Sequence, residues 1–222
     1  EIGNSEVVYN DPHTHVAFRV EQNNDTHMLF VDAGNDRIGI GNSAPGTLIE
    51  VHGEPPHITF RNTTEEDTDG GRETLLIFEG EQSGGEISTL AQVEASHDGT
   101  ADDEKAKLIV SVNDGSDGAS PTEALRINHE GSILIGQSTT DVPGFTNTTL
   151  GASFEDIGAD GTALFVSRSD NFVASFNRAE DGSIILLSSG GVSQGDISIV
   201  GTTTSFNGGH LFRWSQLEGG AA

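Results

Sequence analysis

The sequence contains no cysteine, which excludes disulfide bonds and thiolate metal ligands. Basic residues are also scarce: 10 Lys and Arg stand against 35 Asp and Glu, and the formal net charge is −25 at pH 7. Such a surface repels nucleic-acid phosphates and anionic membranes. No apolar run approaches the roughly 20 residues that span a bilayer. We therefore expect neither nucleic-acid binding nor membrane insertion.

Helical periodicity is nearly absent, because Gly, Asn, Asp, Ser and Thr interrupt almost every window. Only residues 101–107 and 153–157 are weak helix candidates. Alternation of apolar and polar residues is common instead and predicts an all-β chain. The candidate strands are 15–20, 58–60, 75–78, 87–93, 108–112, 164–166, 172–176, 184–187 and 197–200.

Two stretches of the chain, 26–50 and 123–144, resemble each other. Each has a short alternating strand, a Gly/Asn/Asp turn, a second very short strand and a proline at its exit. One such unit has too little apolar surface for its own core, so we expect it to stack on copies of itself or on other chains. The aligned apolar residues predicted to form a core between chains are Leu29, Val31, Ile38, Ile40, Leu125, Ile127, Ile133 and Ile135.

The two stretches and the acidic turns between the strands divide the chain into segments. This pattern favours several thin cores along an elongated molecule over one deep core. We predict an N-terminal strand segment (1–25), a first shaft repeat (26–54), a β-sandwich or meander (55–122), a second repeat with a connector (123–150), a β-meander (151–201) and a C-terminal stem or plug (202–222).

The string THMLFVDAGNDRIGIGNSAPGTLIEVHG, which begins at Thr26, resembles the Gly-Ile-Gly units of bacteriophage tail-fibre proteins of the marine-phage type. Residues 60–127 are similar to a module that recurs between such units. TTTSFNGGHLFRWSQL (202–217) resembles the stem that precedes a C-terminal intramolecular chaperone in these fibres. The chaperone itself does not follow Leu217, and the chain begins at Glu1 without Met, so we expect a processed product or a fragment.

The resemblance implies an elongated parallel homotrimer, with a β-rich shaft and small β domains, located in the virion tail and thus extracellular. It implies a role in host attachment or tail architecture without catalysis. The implied partners are other tail proteins and a host surface receptor, either a glycan or an outer-membrane component. Two alternatives stay open: a polysaccharide-degrading tailspike, and a secreted bacterial adhesin module whose folding depends on Ca²⁺.

The sharpest local motif is His13-x-His15. Residues i and i+2 of a strand face the same side, so three chains around an axis would offer six imidazoles to a metal ion. Some phage fibre tips resemble this arrangement and hold iron. The other interpretation is a pair of solvated or packing histidines, which the turn signal Asp11-Pro12 favours. Apart from this candidate metal at a trimer axis, no cofactor is expected.

Acidic clusters are candidate Ca²⁺ ligands, because hard cations take several oxygen ligands. None has the spacing of a known calcium loop, which favours solvated acidic turns. In the tail, bulky residues could close the end of a trimer as a plug or form a receptor patch. The acidic residues are Glu65, Glu66, Asp67, Asp69, Asp98, Asp102, Asp103, Glu104, Asp114 and Asp117, and the bulky ones are Phe206, Leu211, Phe212 and Trp214.

Overall fold

The structure is a computed structural model that describes residues 17–23, 25–115, 120–137, 143, 148–156 and 161–208. The chain divides into two compact units, Glu1–Arg61 and Asn62–Ala222. Over the described residues, fourteen strands form three sheets and no helix occurs. The prediction of an all-β chain is confirmed.

The first unit contains a four-stranded sheet in the order β1-β2-β3-β4, in which only β4 runs parallel to its neighbour β3. Asp32 closes the turn between β2 and β3, because its carboxylate accepts hydrogen bonds from Gly34 N at 3.1 Å and from Asn35 Nδ2 at 2.9 Å. These bonds also hold the pKa of Asp32 below its ordinary value, with Asn35 the main cause. The strands are β1 (Phe18–Gln22), β2 (Asp25–Asp32), β3 (Arg37–Ile40) and β4 (Ile49–Val51).

The second unit contains a seven-stranded antiparallel sheet in which strands adjacent in sequence are also neighbours in space. Glycines with positive φ, such as Gly85 and Gly131, supply the tight turns that this meander requires. The strands are β5 (Thr74–Glu81), β6 (Ile87–His97), β7 (Ala106–Val112), β8 (Thr122–Ile127), β9 (Ile133–Ile135), β10 (Gly151–Asp156) and β11 (Thr162–Ser167).

The third sheet has three antiparallel strands, β12 (Gly182–Ser189), β13 (Val192–Val200) and β14 (Thr203–Gly208). Ser189 pairs with Val192, so the first hairpin turns through Gly190 and Gly191 alone. Both glycines have positive φ, at 57° and 78°. This is the conformation that a two-residue hairpin turn needs for strands of right-handed twist.

Several local predictions fail. Residues 101–103 form bends and 106–112 belong to β7, while the second helix candidate lies largely in β10, so neither is a helix. Pairing with neighbouring strands overrides the weak helix propensity of these short stretches. The candidate strands 58–60 and 172–176 are exposed and lie outside the sheets. The candidates within 75–78, 87–93, 108–112, 164–166, 184–187 and 197–200 are confirmed.

The sheets also divide the chain differently from the predicted segments. The sequence places boundaries at 122/123 and at 150/151, but β8 to β11 continue the sheet that begins at β5. The short strand Ile133–Ile135 is responsible, because it pairs with β8 on one side and with β10 on the other. The second predicted repeat is therefore the centre of a larger sheet.

Candidate assembly surface

One face of the seven-stranded sheet is formed by two rows of side chains that are apolar in all but one position. In each row, every residue pairs directly with the next one across the sheet, from β5 to β11. We call this surface the apolar face. The first row is Leu76, Val93, Val110, Leu125, Ile135, Ala152 and Val166, and the second is Thr74, Ala95, Leu108, Ile127, Ile133, Phe154 and Leu164. Phe78, Ala91 and Val112 extend it at one end.

The apolar face is exposed, although such a face would ordinarily lie in a core. None of the residues in its two rows is buried, and Leu76, Phe154 and Leu164 are among those that are more than a third exposed. Large apolar side chains each gain about 1.5–3 kcal/mol when they leave water. The sheet therefore leaves a substantial part of its hydrophobic stabilisation unrealised in a single chain.

From β6 to β10 the opposite face of the same sheet is the more buried one, and it is mostly polar there, whereas Leu75 and Ile77 of the edge strand β5 are exposed. Its central row pairs Glu94, Ile109, Arg126, Leu134 and Ser153. Among the described residues, Ile109 and Leu134 are the only large apolar side chains that are buried. Lys107, Ser111 and Glu155 are buried on this face as well. We call it the polar face.

The four-stranded sheet has the same one-sided character. Phe18 pairs with Val31, Val31 with Ile38 and Ile38 with Ile49, so one face carries a continuous apolar row. Ile38, Ile40 and Ile49 are exposed there. On the other face of β3 a Cβ at Gly39 would lie 2.1 Å from the carbonyl oxygen of Asn42. Glycine is required at this position because the chain returns directly over it.

The two hairpins that carry the eight predicted core residues have matching registers. Val31 pairs with Ile38 in the first hairpin, and Ile127 pairs with Ile133 in the second. Gly41 and Gly136, which follow the second strands, have φ of 67° and 66°. The N–H groups of both glycines donate back to the first strand: Gly41 N to His27 O at 3.0 Å and to Met28 O at 3.4 Å, and Gly136 N to Ala124 O at 3.1 Å. The hairpins differ afterwards, because β3 pairs with a parallel strand and β9 with an antiparallel one.

All eight predicted core residues lie on apolar faces, four on each of two sheets, but each set of four is part of a larger surface. The alternation in 75–78 and 108–112 was visible in the sequence. The register that joins these strands to 133–135 and 152–166 involves pairs far apart in sequence, and local patterns do not reveal it. The following residues of the apolar face do not belong to the predicted core: Leu76, Phe78, Val93, Leu108, Val110, Val112, Phe154, Leu164 and Val166.

The three-stranded sheet has one apolar row, although the exposed Leu186 lies on the other side, where it pairs with Asp196. Ile185, Ile197 and Phe206 pair in a row on one side, and Phe206 is exposed. On the other side Asp196 accepts hydrogen bonds from Ser183 Oγ and Asn207 Nδ2, which lower its pKa. Of the residues predicted for the plug or receptor patch, Leu211, Phe212 and Trp214 lie outside the described residues.

An ion-paired cluster lies at one end of the polar face. The side chain of Lys107 is 3% exposed, and its Nζ donates to Asp69 Oδ1 at 2.6 Å. This hydrogen bond is the main reason why the pKa of Asp69 lies below its ordinary value. Gly99 N also donates to Asp69 Oδ1, at 3.1 Å. The pair therefore ties the 62–73 loop to β7 and to the turn that precedes it.

Two histidines complete this cluster. His97 is fully buried; its Nδ1 lies 3.2 Å from Thr68 O and its Nε2 lies 3.1 Å from Asp103 Oδ1. The second contact is the main cause of the lowered pKa of Asp103. Burial raises the pKa of Asp98, but hydrogen bonds from the backbone and ring of His129 outweigh burial and leave that pKa below its ordinary value.

This geometry bears on the candidate cation ligands. Asp69, Asp98 and Asp103 face Lys107, His129 and His97, so they serve as partners of the chain's own basic groups. Within the described ranges, no group of three or more His, Asp or Glu residues is placed to hold a metal ion. His13 and His15 lie outside the described residues, and so does Asp117.

A cavity of about 550 Å³ lies beside this cluster and is lined by 62–67, Arg72 and Asp102. The part of the chain that the structure describes contains no helix able to cross a membrane. Comparisons with protein-family models, with curated proteins and with solved structures found no match to this chain.

Proposed function

We propose that this chain is a structural and adhesive segment of a phage tail fibre, which works as a homotrimer and performs no catalysis. The observation that supports this proposal best is the exposure of one apolar face on the four-stranded sheet and of one on the seven-stranded sheet. A chain of this kind hides its apolar surface only by association, as chains in obligate assemblies do. The Gly-Ile-Gly units and the stem-like tail add the resemblance to tail fibres.

In this proposal the chain contributes to host attachment or to the architecture of the tail, in contact with other tail proteins and with a receptor on the host surface. Its acidic loops remain at the outside, where a charge of −25 keeps the particle soluble and repels nucleic acid. Catalysis is not part of the proposal, because the cavity beside Arg72 has no aromatic side chain to stack on a sugar ring.

The mass of the protein in solution tests the proposal. We expect light scattering coupled to size exclusion to give three times the chain mass of 23.3 kDa. The trimer should persist in EDTA, because the acidic residues of the ion-paired cluster face basic groups of the same chain. A stable, folded monomer would refute the proposal, and a trimer that dissociates on removal of Ca²⁺ would favour the adhesin alternative.

A further inference from the structure

We infer that the apolar face of the seven-stranded sheet is the main contact between chains, and that its occupant is the same face of other copies of this protein. The inference rests on the proposed function, because it takes self-association from there. It adds a surface: the predicted core comprised eight residues of two hairpins, whereas this contact extends from Leu76 at one edge of the sheet to Val166 at the other.

The size of this face suits a stable interface. Seven strands about 4.8 Å apart span about 34 Å, and residues of one face repeat every ~6.8 Å along a strand. The two complete rows and the shorter third row then cover roughly 600 Å² of sheet. Two such faces together supply about 1,200 Å², which is the lower end of the range for specific, stable interfaces.

The chemistry of the face favours a copy of the chain over another partner. Of the fourteen residues in the two complete rows, thirteen are apolar and none is charged, with Thr74 the sole polar member. Such a face offers no group that could recognise a charged or a hydrogen-bonding ligand. Depletion of charge together with a continuous apolar surface is typical of interfaces in obligate homo-oligomers.

The remaining surface of the chain supports the same choice. With a net charge of −25, two copies repel each other through their loops and edges. The apolar face is the part of the second unit's sheet at which copies can meet without bringing carboxylates together. It also contains Leu125, Ile127, Ile133 and Ile135, so it is continuous with the core that the repeats predict.

Two adjacent residues of β5 provide a matched test. Leu76 and Ile77 are each 50% exposed, but Leu76 lies on the apolar face and Ile77 on the polar face. In an isolated chain, Leu76→Asp and Ile77→Asp should have similar effects. If the apolar face is the contact, Leu76→Asp should raise the chain concentration at which half of the trimer dissociates by at least tenfold, while Ile77→Asp leaves it within about threefold. Leu164→Asp, at the opposite edge of the sheet, should behave like Leu76→Asp.

The absence of cysteine permits a second measurement on proteins that stay assembled. Leu125→Cys places one thiol near the middle of the apolar face, and Ile77→Cys places one on the polar face. Mild oxidation should give covalent dimers of the first variant on a non-reducing gel and few of the second. A trimeric wild type with equal effects of the two aspartates and no Leu125→Cys dimers would overturn this inference and leave the proposed function standing.

Other results would distinguish the inferred contact from the proposed trimeric fibre in a different way. A wild type that is a dimer, with dimers formed through Leu125→Cys, would support the inferred contact and refute the trimeric fibre. A monomeric wild type that floats with phosphatidylcholine vesicles would overturn both, because the occupant of the apolar face would then be lipid.

Discussion

The two faces of the seven-stranded sheet reverse the usual arrangement. The polar face carries Lys107, Ser153 and Glu155 in buried positions, whereas the apolar face presents Leu76, Phe154 and Leu164 to solvent. In an ordinary antiparallel sheet with one solvated face, the apolar face packs on the core and the polar face is in contact with water. The two faces therefore differ in what a single chain supplies. Lys107 is paired with Asp69 within the chain, although Ser153 Oγ and Glu155 Oε1 have no hydrogen-bond partner among the described residues. The apolar side chains of the opposite face are left uncovered and, in the proposed trimer, would be covered by other chains.

The largest effect is expected at two adjacent residues of β9, Leu134 and Ile135, whose side chains lie on opposite faces of the sheet. Leu134 is 0% exposed, and Leu134→Ala should cost about 2–5 kcal/mol of folding stability in every assembly state. Ile135 is exposed on the apolar face, so Ile135→Ala should lower the stability of the assembled protein but hardly that of a dissociated chain. Thermal unfolding at chain concentrations a hundredfold apart measures this, and a concentration-independent loss for both variants would contradict it.

The next largest effect is expected in the first unit at Gly39, which leaves one face of β3 without a side chain at that position. In Gly39→Ala the new Cβ would lie 2.1 Å from Asn42 O, so the segment after β3 must move. We expect a loss of about 1–3 kcal/mol, as for other overpacked sites. Gly34→Ala is the control in the same hairpin, since its Cβ would meet its nearest neighbour, Asp32 Oδ1, at 3.4 Å. Urea unfolding of both variants should separate them, and equal losses would show that the return of the chain over β3 is unimportant.

The smallest effect should come from acid, which within the seven-stranded sheet acts on carboxylates of the polar face and not on the uncharged apolar face. The pKa values of Asp69, Asp98 and Asp103 are all lowered in the folded chain, so folding favours their ionised forms. The stability that they contribute is complete above their ordinary pKa of 3.8 and is lost as the pH falls through the lowered values. The melting temperature should therefore fall as the pH is lowered below 3.8.

Asp69→Asn provides the control for the acid prediction. This variant leaves the buried Lys107 without its carboxylate, so it should melt at a lower temperature than the wild type at pH 7. Because one titrating group is gone, its melting temperature should fall less on acidification. A wild type and a variant with parallel pH profiles would show that the Asp69–Lys107 pair does not contribute to acid sensitivity.

The sequence predicted which segments form strands better than it predicted how those strands pair. The short apolar and β-prone runs in 75–78, 87–93 and 108–112 were sufficient to predict strands, because such runs between turn residues are a local property. The pairing of Ile135 with Ala152, and the joining of seven strands in one sheet, depend on non-local contacts that no local window contains. Phe172–Phe176 shows the converse: it alternates like a strand, yet it pairs with no neighbour among the described residues.

The candidate site shows the same limit. The Ile-Gly-Ile-Gly pattern indicated that Ile38 and Ile40 belong to an apolar row. Glycine at position 39 has no side chain, so none projects from the other face of β3 between them. The ion-paired cluster was not predictable, because Lys107 looked like part of a short acidic helix and its partner Asp69 lies 38 residues away. Acidic residues that resembled calcium ligands proved to be partners of histidine and lysine.

The one-sided sheets have a consequence for biogenesis. If the chain is the fibre segment proposed above, a nascent chain that leaves the ribosome can complete its hydrogen-bonded ladders alone, but its apolar face must then meet other copies of the chain before it binds unrelated polypeptides. Renaturation from denaturant should consequently be of higher than first order, with a yield that passes through a maximum as the amount of protein in the refolding mixture is increased. Synthesis of several chains by neighbouring ribosomes on one messenger RNA would shorten the time during which the apolar face is exposed.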